Sequence, residues 1–145
     1  MGELSSKQVL SNEKIFDSIS DWISIIDLDT NIKYTNISGE KLFGLTKEKI
    51  INQKCCKLVH NKDTPIKNCP IKKMLNSKKQ ENAELYLEEK NQWYKVTVNP
   101  IFDKNKKITG AVHIARDITE RKQRKNLRKV KAKSKSLNQN NTLTT

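Results

Sequence analysis

The chain has 145 residues with 34% hydrophobic residues and a formal net charge of +13, enough for one domain with a modest core. Its longest apolar run, "WISIIDL", is too short to cross a bilayer, and "MGELSSKQVLSNEK" lacks the apolar core of a signal peptide, so no membrane segment and a cytoplasmic location are expected. Three cysteines, two of them adjacent, make no disulfide framework, and four glycines leave little material for a phosphate-cradling loop.

Residues 4–20 place Ile15, Phe16 and Ile19 on one helical face, with Ser11 or Asn12 able to cap. "WISIIDLD" is dense in β-branched residues and ends in the Asp- and Asn-rich turn "DLDTN", after which "IKYTN" resumes as a strand, so a β-hairpin is predicted. In "SGEKLFGLTKEKIINQ" the period changes to helical: Ser38 can cap a short helix that Gly44 stops, and Thr46 with Glu48 suits a second start.

The stretch "CCKLVHNKDTPIKNCP" then holds all three cysteines and one of the two histidines, and reads as a helix-connecting loop. "PIKKMLNSKK" begins with Pro at a helix start and sets Ile71, Met74 and Leu75 at helical spacing. The last third reads as three strands, "QENAELYLEE", "QWYKVTVNPIFD" and "ITGAVHIARDI", with kinks or bulges expected at Pro100 and Gly110. The order predicts an α+β domain, an antiparallel sheet with its helices gathered on one face.

From Arg116 to the end, ten Lys/Arg stand against two acids, so the basicity is largely a property of a C-terminal helix whose last residues, "LNQNNTLTT", are expected to fray. Such a run reads as a solvated helix rather than a sequence-specific nucleic-acid reader, with weak, salt-sensitive adhesion to nucleic acid expected. Nucleic acid is therefore not the expected partner.

"SIIDLDTNIKYTNISGEKLFGLTKEKIINQ" resembles the first half of a PAS domain, and "VNPIFDKNKKITGAVHIARDITERKQ" resembles the second, including the closing Asp-Ile-Thr-Glu-Arg-Lys signature at residues 117–122. The likeness covers about residues 10–124. It implies a five-stranded antiparallel sheet with short helices on one face around a small cavity, an N-terminal helix and a C-terminal signalling helix. The implied division is an extension at 1–9, the PAS domain at 10–120, and a basic helical linker and tail at 121–145.

The resemblance further implies a non-enzymatic sensory module that binds a small ligand or responds to redox state. It would relay the signal through homodimerisation and the C-terminal helix, as the sensor part of a histidine kinase or transcriptional regulator. The alternative is a small basic nucleic-acid-associated regulator acting through its Lys/Arg-rich tail.

By the same resemblance, Ser24 and Ile26, Tyr94, Val96 and Val98, and Ala111, His113 and Ala115 face the cavity, with Thr109 on the same face and Asn36 following the second strand. These are the expected ligand contacts. Ile23, Ile25, Ile108, Val112 and Ile114 form an outer face that the N-terminal helix or a second subunit should cover. Asp117 and Thr119 tie the last strand to the outgoing helix, which serves capping and signal relay alike.

In one PAS subgroup the cysteine region carries Cys-x4-His followed by Cys-x-x-Cys-Pro. Cys55, His60 and Cys69 match three of those positions, Ile66 stands where a fourth ligand would be, and Cys56 diverges from Cys55. A degenerate site with no tightly bound cofactor is expected; zinc or iron on those three residues, a thiol switch, or haem on His113 are the alternatives. A reactive flavin-type Cys has no matching context.

Overall fold

The structure, a computed structural model, describes residues 13–143, with side chains described to residue 133. The extension at 1–9 and the start of the N-terminal helix lie outside the described residues; 13–17 are helical (α1). Trp22–Asp27 (β1) and Ile32–Thr35 (β2) make the predicted hairpin, and its turn is built by Asp27, whose carboxylate accepts from the backbone N–H groups of Asp29 and Asn31, each at 2.9 Å. Four short helices follow: Ile37–Phe43 (α2), Lys47–Ile50 (α3), Cys55–His60 (α4) and Pro70–Ser77 (α5). The strands Glu81–Leu87 (β3), Gln92–Phe102 (β4) and Ile108–Asp117 (β5) and the helix Thr119–Leu143 (α6) complete the chain.

The sheet is five-stranded and antiparallel throughout, in the order β2-β1-β5-β4-β3. Side chains alternate between its faces, and register aligns one inner row across every strand: Thr35, Ser24, His113, Val98 and Glu81. The next row carries Trp22, Ala115, Val96 and Ala83. Ile50, Cys55, Ile71 and Met74 from the helices pack onto these rows and close the core.

Helix ends follow local chemistry. Gly44 terminates α2 at φ 63, where its N–H reaches the Glu40 carbonyl, and Pro70 opens α5. Ser38 does not cap α2: the helix begins at Ile37, and the Ser38 hydroxyl donates to the Ile19 carbonyl at 2.8 Å. The cysteine stretch is not all loop either. Its first six residues are the helix α4, ended by Asn61 in the left-handed region, and only the segment after it connects helices.

A bulge between Ile101 and Phe102 shifts the register of the β4–β5 pair at Ile108. It corrects two expectations: Ile108 packs against the core instead of joining the outer face, and Thr109 is exposed instead of facing the cavity. On the outer face Ile23 is buried, whereas Ile25, Val112 and Ile114 are half-buried. Phe16 of α1 packs edge-on against Tyr34 at 5.9 Å. α6 runs to Leu143, through most of the stretch expected to fray, and no described helix is long and apolar enough to cross a membrane.

Candidate functional site

Between the inner face and α2, α4 and α5 lies an apolar cavity of about 40 Å³. The sheet contributes Trp22, Leu85, Leu87, Tyr94, Val96, His113 and Ala115, and the helical side contributes Leu42, Val59, Ile66 and Ile71. Cys55, Cys56, His60 and Cys69 also line it, so the tertiary structure brings the whole cysteine–histidine set to one place. A wider groove outside shares Val59, His60, Ile66, Leu85 and Leu87 with the cavity; these side chains form the partition between them.

His113 is the polar centre of this site. Its ring is buried, stands edge-on to Trp22 at 4.9 Å, and its Nδ1 has no hydrogen-bond partner. The Ser24 hydroxyl, which is directly across the β1–β5 pair from His113, is likewise buried without a partner. Two unpartnered polar atoms on one cross-strand pair are costly unless water or a ligand meets them. Trp22 itself is fixed by its indole N–H, which donates to Thr35 Oγ1 at 3.1 Å, and by an edge contact with Phe43.

Burial holds the His113 imidazole neutral, pushing its pKa down to about 4 against a smaller opposing contribution from its own backbone, and the nearby His60 acts in the same direction as burial. His60 is itself lowered, by burial and then by Lys62. The unfolded chain titrates near the ordinary histidine value of 6.5 and so binds more protons than the folded chain between that pH and about 4. Stability is therefore present above pH 6.5 and lost as pH falls toward 4, by roughly 3 kcal/mol from His113. Urea denaturation at pH 7 and pH 4.5 checks this. His113→Gln should flatten the dependence, and an unchanged slope in the variant would refute the assignment.

Of the residues expected to meet a ligand, Tyr94, Val96, His113 and Ala115 line the cavity. Ser24, Ile26, Val98 and Ala111 share the inner face but are not among the lining residues, because they are buried in the core beside the cavity. Asn36 is engaged elsewhere. Its Oδ1 accepts from the Ile23 N–H at 3.0 Å and its Nδ2 donates to the carbonyls of Phe16 and Asp21, and the side chain is fully buried away from the cavity lining. The Tyr94 hydroxyl donates to Gln92 Oε1 at 2.8 Å.

Sequence reasoning missed Trp22, Leu85 and Leu87, although strand parity puts Trp22 on the face of Ser24 and Ile26; Leu42, Val59 and Ile66 carry no comparable signal.

The metal assignment fares differently. Cys55, His60 and Cys69 line one cavity, yet among the described residues no group of three or more His, Cys, Asp or Glu side chains is arranged to hold a metal ion. Burial, with smaller contributions from Cys69 and Cys56, pushes the Cys55 thiol up to about 12, so it is not a ready nucleophile.

At the exit from the sheet, the Thr119 N–H donates to Asp117 Oδ1 at 2.9 Å, and Thr119 Oγ1 accepts from the Trp93 N–H at 2.9 Å. The Ile118 N–H adds a bond to the Trp93 carbonyl, also at 2.9 Å. Asp117 and Thr119 thus clamp the first turn of α6 to β4.

Comparison with known proteins agrees with this architecture. A protein of Clostridium beijerinckii described as "Signal-transduction and transcriptional-control protein" is 31% identical over 107 residues, a match that covers 72% of this chain and 16% of that protein's length. The crystal structure of a PAS domain from Colwellia psychrerythraea superposes with a TM-score of 0.60 at 24% identity, over 78% of this chain and 98% of that one. The PAS domain of nitrogen regulation protein NR(II) from Vibrio parahaemolyticus gives 0.59 at 19% identity, over 74% and 97%. Residues 20–120 match the family model described as "PAS domain", and the chain belongs to the PAS domain family.

Proposed function

We propose that this PAS domain is a cytoplasmic sensor whose cavity takes a mostly apolar ligand of a few heavy atoms with one polar atom that meets the His113 ring. The buried His113 ring, whose Nδ1 has no hydrogen-bond partner, at the wall of a mostly apolar cavity carries the reading. At roughly 10–15 Å³ per ordered water, the space corresponds to about three waters. Haem and flavin are far larger than that. The inert Cys55 thiol favours ligand binding over a thiol switch.

The partition of Val59, His60, Ile66, Leu85 and Leu87 is the entry gate. Occupancy reaches the output through β5, the Asp117–Thr119 clamp and α6, in a homodimer that serves as the sensor part of a histidine kinase or transcriptional regulator. The domain acts by binding and catalyses nothing itself.

The test is a nitrogen-15 NMR titration of the His113 side chain with short-chain alcohols, aldehydes and amides of three to six heavy atoms. A saturable shift of the ring nitrogens is expected, with a raised melting temperature. No shift from any probe, or stoichiometric zinc, iron or a haem or flavin absorption band in the purified protein, would refute it.

A further inference from the structure

The helix α6 carries its charge on one side. Between Thr119 and Lys133 it holds eight Lys/Arg against the single acid Glu120. At about 100° per residue, the eight cations fall within an arc of roughly 200°. The rest of the circumference carries Glu120, Gln123, Asn126, Leu127 and Val130.

The domain uses only the first cations of this arc. Arg121 and Lys122 both pair with Glu84 of β3, and the Lys122 ammonium also lies 4.8 Å from the centre of the Trp93 ring. Arg124 reaches Glu120 at 4.0 Å. Lys125, Arg128, Lys129, Lys131 and Lys133 are exposed, with no acidic group within salt-bridge distance among the described residues. Pairs such as Lys125 with Lys129 and Lys129 with Lys133 repel at i,i+4 spacing, so the pattern costs helix stability unless an anion answers it.

We propose that this arc docks the phosphodiester backbone of a nucleic-acid duplex without reading its sequence. A second copy of the helix would add like charge to like charge along the arc. An anionic membrane needs a broad apolar face to insert, and the only exposed large apolar side chains on the described part of α6 are Leu127 and Val130. A flat acidic protein surface can answer one side of an arc this wide. A duplex groove carries phosphates on both walls, and the B-form major groove, about 12 Å across, accepts a helix of about that diameter. Gln123 and Asn126, the side chains suited to adenine edges, lie outside the arc, which favours backbone contact over base readout.

The test is fluorescence anisotropy of the full chain with labelled 20-base-pair DNA and RNA duplexes of mixed sequence, in KCl from 50 to 200 mM. On DNA, log affinity is expected to fall linearly with log salt at a slope of about −4 to −5, for about five phosphate contacts. The triple variant Lys125→Glu/Arg128→Glu/Lys129→Glu should bind at least about 100-fold more weakly at 50 mM and lose about 3 from the slope, at an unchanged melting temperature. The control Lys95→Glu/Lys104→Glu/Lys107→Glu, on the exposed sheet and turn, should retain wild-type binding. The ratio of DNA to RNA affinity shows which duplex the arc prefers. Absence of saturable binding at 50 mM, equal loss in both triple variants, or equal affinity for polyglutamate or phosphatidylglycerol vesicles would overturn the proposal.

Discussion

Gly110→Ala is expected to lower the stability of the domain by about 3 kcal/mol, at the upper end of overpacking costs. A Cβ built on Gly110 falls closer than 3.0 Å to the carbonyl oxygen of Ile26, with the Ile26 carbonyl carbon at 3.5 Å and the Asp27 Cα at 3.6 Å. All three neighbours are backbone atoms of β1, paired on both sides inside the sheet, where no side chain can swing aside. Relief requires β1 and β5 to part at the Asp27–Gly110 pair, and the same ladder aligns Ser24 with His113. The site geometry should therefore suffer along with stability.

Gly44→Ala provides the contrast. A Cβ there meets nothing within 4 Å, and the cost is confined to holding φ at 63 with a side chain, about 1 kcal/mol. Urea denaturation of both variants checks the pair of values. Equal losses would show that the close approach at Gly110 is relieved without parting the strands.

Asn36→Ala should cost a similar amount, about 3 kcal/mol, by a different route. Asn36 is fully buried, and removing its amide strands the Ile23 N–H and the carbonyls of Phe16 and Asp21. An unsatisfied buried backbone group costs about 1–3 kcal/mol, reduced here where the outer carbonyls regain water. Asn36→Asp retains the acceptor for Ile23 but turns a carboxylate toward carbonyl oxygens, so it should not restore stability. Chemical denaturation together with hydrogen exchange at the Ile23 amide tests this. Exchange at Ile23 should accelerate in Asn36→Ala and remain slower in Asn36→Asp. Wild-type stability in Asn36→Ala would show that water replaces the amide.

Asn36 is thus a structural pin at the corner where α1, β1 and β2 meet. Its place after the second strand was legible, but its partners were not, because they lie 13 to 20 residues away in the chain.

Local chemistry in the sequence determined much of this protein: a hairpin turned by Asp27, a helix stopped by Gly44, another opened by Pro70, and the alternation in β4 and β5 that put Tyr94, Val96, Val98 and His113 on one face. Each is a short-range rule of backbone geometry or side-chain period, complete within a few residues. The tertiary structure alone decided the rest. Strand parity assigns a face but not a position along it, so only the seating of α2, α4 and α5 separates Val96 and His113 at the cavity from Ile26 and Val98 in the core. A bulge set by strand pairing turned Ile108 inward and Thr109 out. The charge of α6 is plain in the sequence, but which cations remain unanswered depends on where Glu84 and Trp93 stand, and only the folded sheet places them.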